Sequence, residues 1–189
     1  MDILATPRLR LRSAIPDDHA FYLALVNDPA FIEHIGDRGI RTLEEARLAL
    51  IEGPIAMQEM RGHSLYVVEL KACGTPIGMC GLIKRDTLDG VDIGYAYLPD
   101  YRGRGYAYEA GMAVLDHAPA LGLQRVLAIT SPNNIASNRL LLKMGMRFEQ
   151  FMHLTPEGPG TNLYSIDLCG ALPRHEQSDN VTLLQAHKL

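Results

Sequence analysis

The chain has 189 residues, 47% of them hydrophobic and 21% charged, the composition of a folded globular domain long enough to bury a sizeable core. Eighteen basic residues against 22 acidic ones leave a net charge of −4, which excludes a general attraction to nucleic acid or to an anionic membrane surface. The 3 cysteines, Cys73, Cys80 and Cys169, are odd in number and lack metal-ligand spacing, so no disulfide framework and no metal site is expected.

No signal-peptide pattern precedes Thr6, and no apolar run approaches the ~18 residues needed to cross a bilayer. The expectation is a cytoplasmic protein with one domain over residues 1–170 and a loosely ordered tail over 171–189.

In chain order, Thr6 to Arg12 alternates apolar and basic residues, a half-buried strand with Leu9 and Leu11 inward and its arginines solvated. Pro16 opens a helix to about Val26, with Ser13 or Asp17 as cap, and Asn27-Asp28-Pro29 stops it. Residues 30–41 read as irregular, broken by Gly36 and Gly39. Thr42-Leu43-Glu44-Glu45 is a capping box that starts a second helix, which Gly53-Pro54 should end or kink. Helix then resumes from Ile55 to Met60.

Ser64–Leu70 and Ile77–Ile83 read as a β-hairpin around Gly74, and a further turn over 86–90 leads into a strand at 91–98. Three antiparallel strands thus run as a meander. On the third, Val91, Ile93, Tyr95 and Tyr97 share one face, and Asp92, Gly94, Ala96 and Leu98 the other. The small residues of the second face suit either a ligand lying along the sheet or a closely packed helix.

A glycine-rich turn, Tyr101-Arg102-Gly103-Arg104-Gly105-Tyr106-Ala107, separates this strand from a helix running from Gly105 to about Ala118. Strand, glycine turn and helix place unpaired amides and the positive end of a helix dipole together, an anion site that suits phosphate or pyrophosphate. The Lys-Ser/Thr pair of a nucleotide P-loop is missing after Gly105. Tyr108 stands where a dinucleotide fingerprint needs its third small residue.

Arg125–Thr130 is a strand that a right-handed crossover makes parallel to 91–98. Asn134 caps a helix from Ile135 to Met144, closed by Gly145. Met146–His153 and Leu163–Leu168 complete the sheet, with a flexible loop at 156–160 between them.

Arg102-x-x-Gly105-x-Ala107 resembles the Q/R-x-x-G-x-G/A signature of the GNAT superfamily of acyl-CoA-dependent N-acyltransferases. Asn134-x-x-Ser137, with Leu140-Leu141-x-x-Met144-Gly145-Met146, is similar to that family's N-x-x-S/A…G-F segment. Thr6–Arg12, Asp92-Ile93-Gly94-Tyr95 and Leu163–Leu168 resemble its RimJ/RimL-type branch. Together these cover roughly residues 6–168.

The resemblance implies an α/β (α+β) GNAT fold: a mixed, mostly antiparallel twisted sheet, splayed between 91–98 and 125–130, with helices on both faces. Acetyl-CoA would be the co-substrate, its pantetheine arm lying in the splay beside Ala96, Tyr97 and Leu98. The amides of Ala96 and Leu98 would pair with the arm. The amides of Gly103, Gly105, Tyr106 and Ala107 would hold pyrophosphate, with charge from Arg102 and Arg104, and Asn134 would bond the arm or the loop. Homodimers occur in this family.

The implied reaction is acetyl transfer to a primary amine, either a protein N-terminus or a small molecule, by direct attack in a ternary complex. It needs a base for the amine, donors for an oxyanion and a hydrogen bond for the departing thiolate. Many relatives use a tyrosine seven residues after the asparagine for the thiolate; Leu141 occupies that position. Ser137 takes the role instead, Asp92 is the candidate base, Leu98 N–H is an oxyanion donor, and Glu69 is a second carboxylate. His34, His63 and His153 are weaker candidates. A non-catalytic acyl-CoA-binding module, or a nucleotide site on another α/β fold, would use the same loop without the chemistry.

Overall fold

The computed structural model describes residues 2–155 and 158–168. The expected tail from residue 171 and part of the 156–160 loop lie outside the described residues.

The first strand pair corrects the sequence reading. Thr6–Arg12 is not one strand: Thr6-Pro7-Arg8 is a turn between β1 (Asp2–Ala5) and β2 (Leu9–Arg12). The Thr6 amide donates to the Leu9 carbonyl at 2.9 Å, and the Leu9 amide donates back to Thr6 Oγ1 at 3.0 Å. Leu9 and Leu11 are fully buried, as their alternation requires. The arginines beside them are not simply solvated. Arg10 and Arg12 both donate to Glu69, and Arg12 also grips both oxygens of Asp18 at 2.8 and 2.7 Å.

Helix α1 (His19–Val26) ends where Asn27-Asp28-Pro29 predicts, but the chain does not become irregular there. The proline that cannot continue one helix is favoured in the first turn of the next. Asp28 accepts from the amides of Ala30 and Phe31 at 3.1 and 3.2 Å, and so caps a short helix, α2 (Pro29–His34). The Thr42 box forms as expected. Glu45 N–H donates to Thr42 Oγ1 at 3.2 Å, Thr42 N–H donates to Glu45 Oε2 at 2.9 Å, and α3 (Leu43–Leu50) follows. Gly53-Pro54 produces a π-helical turn over Ile51–Ile55 rather than a break, and α4 (Ala56–Arg61) continues from it.

The remaining elements are β3 (Leu65–Leu70), β4 (Pro76–Lys84), β5 (Val91–Tyr97), α5 (Tyr106–His117), β6 (Arg125–Thr130), α6 (Ile135–Lys143), β7 (Arg147–His153) and β8 (Gly160–Asp167). Among the described residues the strands form one sheet of 8 in the order β1-β2-β3-β4-β5-β6-β8-β7. Every neighbouring pair is antiparallel except β5 and β6. The parallel pair is the one joined by the α5 crossover, as the handedness rule demands.

Two cores cover the two sheet faces. Ala110, Val114 and Leu115 of α5 and Leu141 of α6 pack with Tyr66, Val68, Ile93 and Tyr97 on one side. Leu25 of α1 and Leu50 of α3 pack with Val67 and Met79 on the other. Helices α5 and α6 approach closely at Gly111, where a Cβ would lie 2.5 Å from Met144 Sδ. The architecture is thus a mixed, mostly antiparallel sheet with helices on both faces.

Candidate active site at the opening between the parallel strands

The site begins with a failure of pairing. β5 and β6 keep a single register pair, Asp92 opposite Leu127. Beyond it the strands part, leaving a wedge that is narrow at Asp92 and open toward the C-terminal end of β5.

Backbone geometry decides which amides face this wedge. The register of β4 and β5 runs unbroken from Lys84↔Val91 to Gly78↔Tyr97, and Leu98 N–H donates to the Ile77 carbonyl at 2.9 Å. In an antiparallel ladder alternate residues turn both backbone groups to the same neighbour. Ala96 therefore pairs toward β4, as Leu98 does. The amides of Tyr95 and Tyr97 face the wedge. This corrects the expectation for Ala96 and Leu98: their amides are occupied by β4, and Leu98 N–H is not free to meet an oxyanion.

At the open end the chain makes a 3-10 turn, Pro99–Tyr101, and then the glycine loop. Gly103 and Gly105 have φ of 71° and 81°, the left-handed region in which glycine carries no Cβ penalty. Gly105 is the N-cap of α5, and among the described residues no side chain caps that helix. The amides of its first turn, Tyr106 and Ala107 among them, are left for a ligand. The loop follows the open end of β5 directly in the chain, an order that suits a long molecule with an anionic end.

Arg102 does not point toward that anion site. Its Nε donates to the Tyr97 carbonyl at 2.8 Å and its Nη2 pairs with the Asp28 carboxylate. Its charge is committed to the cap of α2, and its role is to clamp the end of β5 to the helix beside it. Arg104 is exposed on the loop and its carbonyl accepts from Arg8 Nη1 at 3.1 Å. Arg8 was not expected here. Its guanidinium lies 4.5 Å from the Tyr106 ring centroid, and a methyl group added at Gly105 would come within 3.4 Å of it. Glu109 fixes the arrangement by accepting from Thr6 Oγ1, Arg8 N and Arg8 Nε at 2.5, 2.9 and 2.6 Å. Burial alone would raise the Glu109 carboxyl, but these donors hold it below the usual range. The only hint in the sequence is the basic run at 8–12.

The other wall of the opening is the start of α6. Asn134 Oδ1 accepts from Ser137 N–H at 3.0 Å, so this side chain caps the helix. Ser137 Oγ does not bond back into the helix. It lies 2.8 Å from the Tyr95 hydroxyl, across the opening from β5. Tyr95 is half-buried, and burial pushes its phenol up to about 12, so it is neutral at physiological pH. Leu141 is a core residue, 1% exposed. Below Ser137, Asn138 Oδ1 accepts from Asn162 Nδ2 at 2.9 Å and from the Tyr164 hydroxyl at 2.7 Å, tying α6 to β8.

Asp92 is not grouped with Ser137. It projects from the opposite face of β5 to Tyr95, at the narrow end of the wedge, 1% exposed. Arg85 Nε donates to both of its oxygens at 3.1 Å. Burial raises the Asp92 pKa and Arg85 opposes that rise without cancelling it. Glu69 is also held by arginines, Arg10 and Arg12, and lies on β3, separated from the wedge by β4, so it is not placed to act as the base. His63 Nδ1 contacts the Leu82 carbonyl and His153 Nδ1 the Gly158 carbonyl, at 3.1 and 2.9 Å. His34 closes α2. Among the described residues, no helix is long and apolar enough to cross a membrane.

The acetyltransferase (GNAT) domain family matches residues 8–147 of the chain. An uncharacterized N-acetyltransferase of Bacillus subtilis (strain 168), YoaA, is 30% identical over 170 residues, covering 87% of this chain and 96% of its own length. The crystal structure of a GNAT-family acetyltransferase from Bacillus anthracis superposes with a TM-score of 0.72 at 25% identity, over 88% of this chain and 98% of that one. RimL, a ribosomal L7/L12 α-N-protein acetyltransferase solved in complex with coenzyme A, shares the fold with a TM-score of 0.75 at 19% identity, over 88% and 98% of the two chains.

Proposed function

Since the chain belongs to the GNAT acetyltransferase family and is an acyl-CoA-dependent N-acetyltransferase using acetyl-CoA, we propose that it acetylates a primary amine by direct attack in a ternary complex. The acceptor is a protein N-terminal α-amino group or a small amine, and the setting is the cytoplasm. The opening segment Thr6–Arg12 and the Asp92-Ile93-Gly94-Tyr95 run support placement in the RimJ/RimL-type branch.

The observation that carries the reading is the uncapped start of α5, reached through the glycine loop from the parted end of β5. The first-turn amides of α5 and the loop at Gly103 and Gly105 would hold the pyrophosphate, and Arg8 and Arg104 are the cations at hand. The Tyr97 amide would bond the arm in place of a strand. Bound acetyl-CoA supplies the thioester that the amine attacks.

Each residue then has a task. The Tyr95 amide, deeper in the wedge, would receive charge developing on the carbonyl oxygen. The Ser137 hydroxyl would donate to the sulfur as the carbon–sulfur bond breaks. Asp92 would accept the proton that the amine sheds, a task its raised pKa favours, after release from Arg85 or through water.

The test is thermal unfolding with acetyl-CoA, coenzyme A, ATP and NAD in parallel, followed by thiol release with N-terminal peptides and small amines. A ligand at ~100 times its Kd adds about 2.7 kcal/mol. Stabilisation by the coenzyme A species alone, with thiol release on adding an amine, is the expected result. Stabilisation by ATP or NAD instead, or no thiol release with any amine, would overturn it.

A further inference from the structure

The helix position that carries a tyrosine in many relatives is Leu141 here, a buried core residue. The facing strand places a different tyrosine at the same opening. Tyr95 reaches from β5 to within 2.8 Å of Ser137 Oγ on α6. Among the described residues this is the only hydrogen-bond partner of the Ser137 side chain.

Two hydroxyls that share one hydrogen bond leave one hydrogen free. Acidity favours the phenol as donor, with the Tyr95 O–H directed toward Ser137 Oγ. The serine, accepting on one of its two lone pairs, then keeps its own hydrogen to turn elsewhere. The other titratable groups near Tyr95 are the Cys80 thiol of β4, the Tyr164 phenol of β8 and the buried Tyr97 phenol of its own strand. None of them is bonded to the serine. Cys80 is fully buried in the core, and the Tyr164 hydroxyl is spent on Asn138 Oδ1 at 2.7 Å.

We infer that Tyr95 is a positioning residue that aims the Ser137 hydroxyl hydrogen into the wedge, so that Ser137 donates to the coenzyme sulfur and the strand tyrosine replaces the one absent from α6. This rests on the acetyltransferase reading above and deepens it. No net proton leaves Tyr95: its phenol stays neutral throughout, and Ser137 retains its proton as a hydrogen-bond donor. When the carbon–sulfur bond breaks, its electron pair goes to the sulfur and is stabilised there by that donor. The proton that finally neutralises the thiolate is the one shed by the amine.

The test reads the sulfur directly and needs no acceptor. Coenzyme A is bound to the protein, and the ionisation of its thiol is followed by thiolate ultraviolet absorption against pH. A hydrogen bond to the charged form should lower the bound thiol pKa by about one unit. Tyr95→Phe and Ser137→Ala should each raise it by that amount, and the double variant by no more than either alone. Ser137→Thr, which keeps a hydroxyl, should retain the wild-type value. The Kd of acetyl-CoA, which has no thiol to ionise, should stay within about threefold throughout.

A Tyr95→Phe protein with the wild-type thiol pKa, or two single shifts that add, would overturn the inference, as would a wild-type bound thiol no more acidic than free coenzyme A. Failure of the wild-type chain to bind coenzyme A is a separate outcome, which would overturn the acetyltransferase reading and this inference with it.

Discussion

The Leu98 amide donates to the Ile77 carbonyl at 2.9 Å, and this bond fixes which backbone groups of β5 are free. With Ile77 and Leu98 paired, Ala96 also turns to β4, and Tyr95 and Tyr97 turn to the wedge. Hydrogen exchange in the free protein should therefore be slow at Ala96 and Leu98 and fast at Tyr95 and Tyr97. Acetyl-CoA should slow the tyrosine amides by at least ~10-fold and leave the other two nearly unchanged. Protection appearing at Ala96 and Leu98 instead would show the opposite edge of β5 to be the binding edge.

Gly105 combines a left-handed φ of 81° with the start of α5. Gly105→Ala should lower stability by roughly 1 kcal/mol through backbone strain alone. Gly105→Glu adds a carboxylate beside the uncapped amides, where it would compete with phosphate. Calorimetry should show acetyl-CoA binding weakened at least ~100-fold in the Glu variant and far less in the Ala variant. Equal losses in the two would mean that conformation, and not charge, controls the loop.

The Arg102 side chain is a clamp, so replacing it should act on stability before affinity. Arg102→Gln leaves the Asp28 carboxylate, 6% exposed, without its cation. A loss of about 2 kcal/mol in unfolding free energy is expected. Acetyl-CoA should bind within roughly threefold of wild type, measured below the melting transition. A large loss of affinity with unchanged stability would assign Arg102 to the phosphate after all.

Asp92 gives a pH prediction with a defined sign. Burial raises its folded-state pKa above the ordinary 3.8. The fold thus favours the neutral acid, and the stability from this group is complete below the unfolded pKa and lost as pH rises through the folded value. Catalysis runs the other way, since only the carboxylate can take a proton. Asp92→Asn should keep or raise the melting temperature at neutral pH while lowering kcat at least ~100-fold. The acid limb that Asp92 gives the kcat profile should vanish with it. A variant with wild-type kcat would leave Asp92 a structural partner of Arg85.

Much of this was legible because local rules agreed with the fold. The Thr42 box, the glycine turn at 103–105 and the alternation of β5 each carry their own short-range signal, and each formed where the pattern placed it. The errors fell where a neighbour distant in sequence decides. Nothing in residues 91–98 says which edge of the strand meets β4, because that depends on register with Ile77. Arg102 sits in a phosphate-binding pattern, yet Asp28, 74 residues earlier, claims its charge. The alternation puts Tyr95 on a face with Val91, Ile93 and Tyr97 and says no more, and only the folded position of α6 brings Ser137 to its hydroxyl. Pro29 stops one helix and opens the next, because the ring that cannot continue a helix is favoured in a first turn.

The strand order has a bearing on how the enzyme comes into being during synthesis. β6 forms one side of the opening, but its antiparallel partner is β8, the last strand described, and β7 lies outside that. A nascent chain that has emerged through the Asn134–Ser137 segment holds every residue assigned to acetyl-CoA, yet β6 still lacks the strand that supports it. Competence to bind should therefore arrive late and abruptly, when Gly160–Asp167 leaves the ribosome. Chains cut short anywhere before that strand would display the glycine loop without the walled opening it serves.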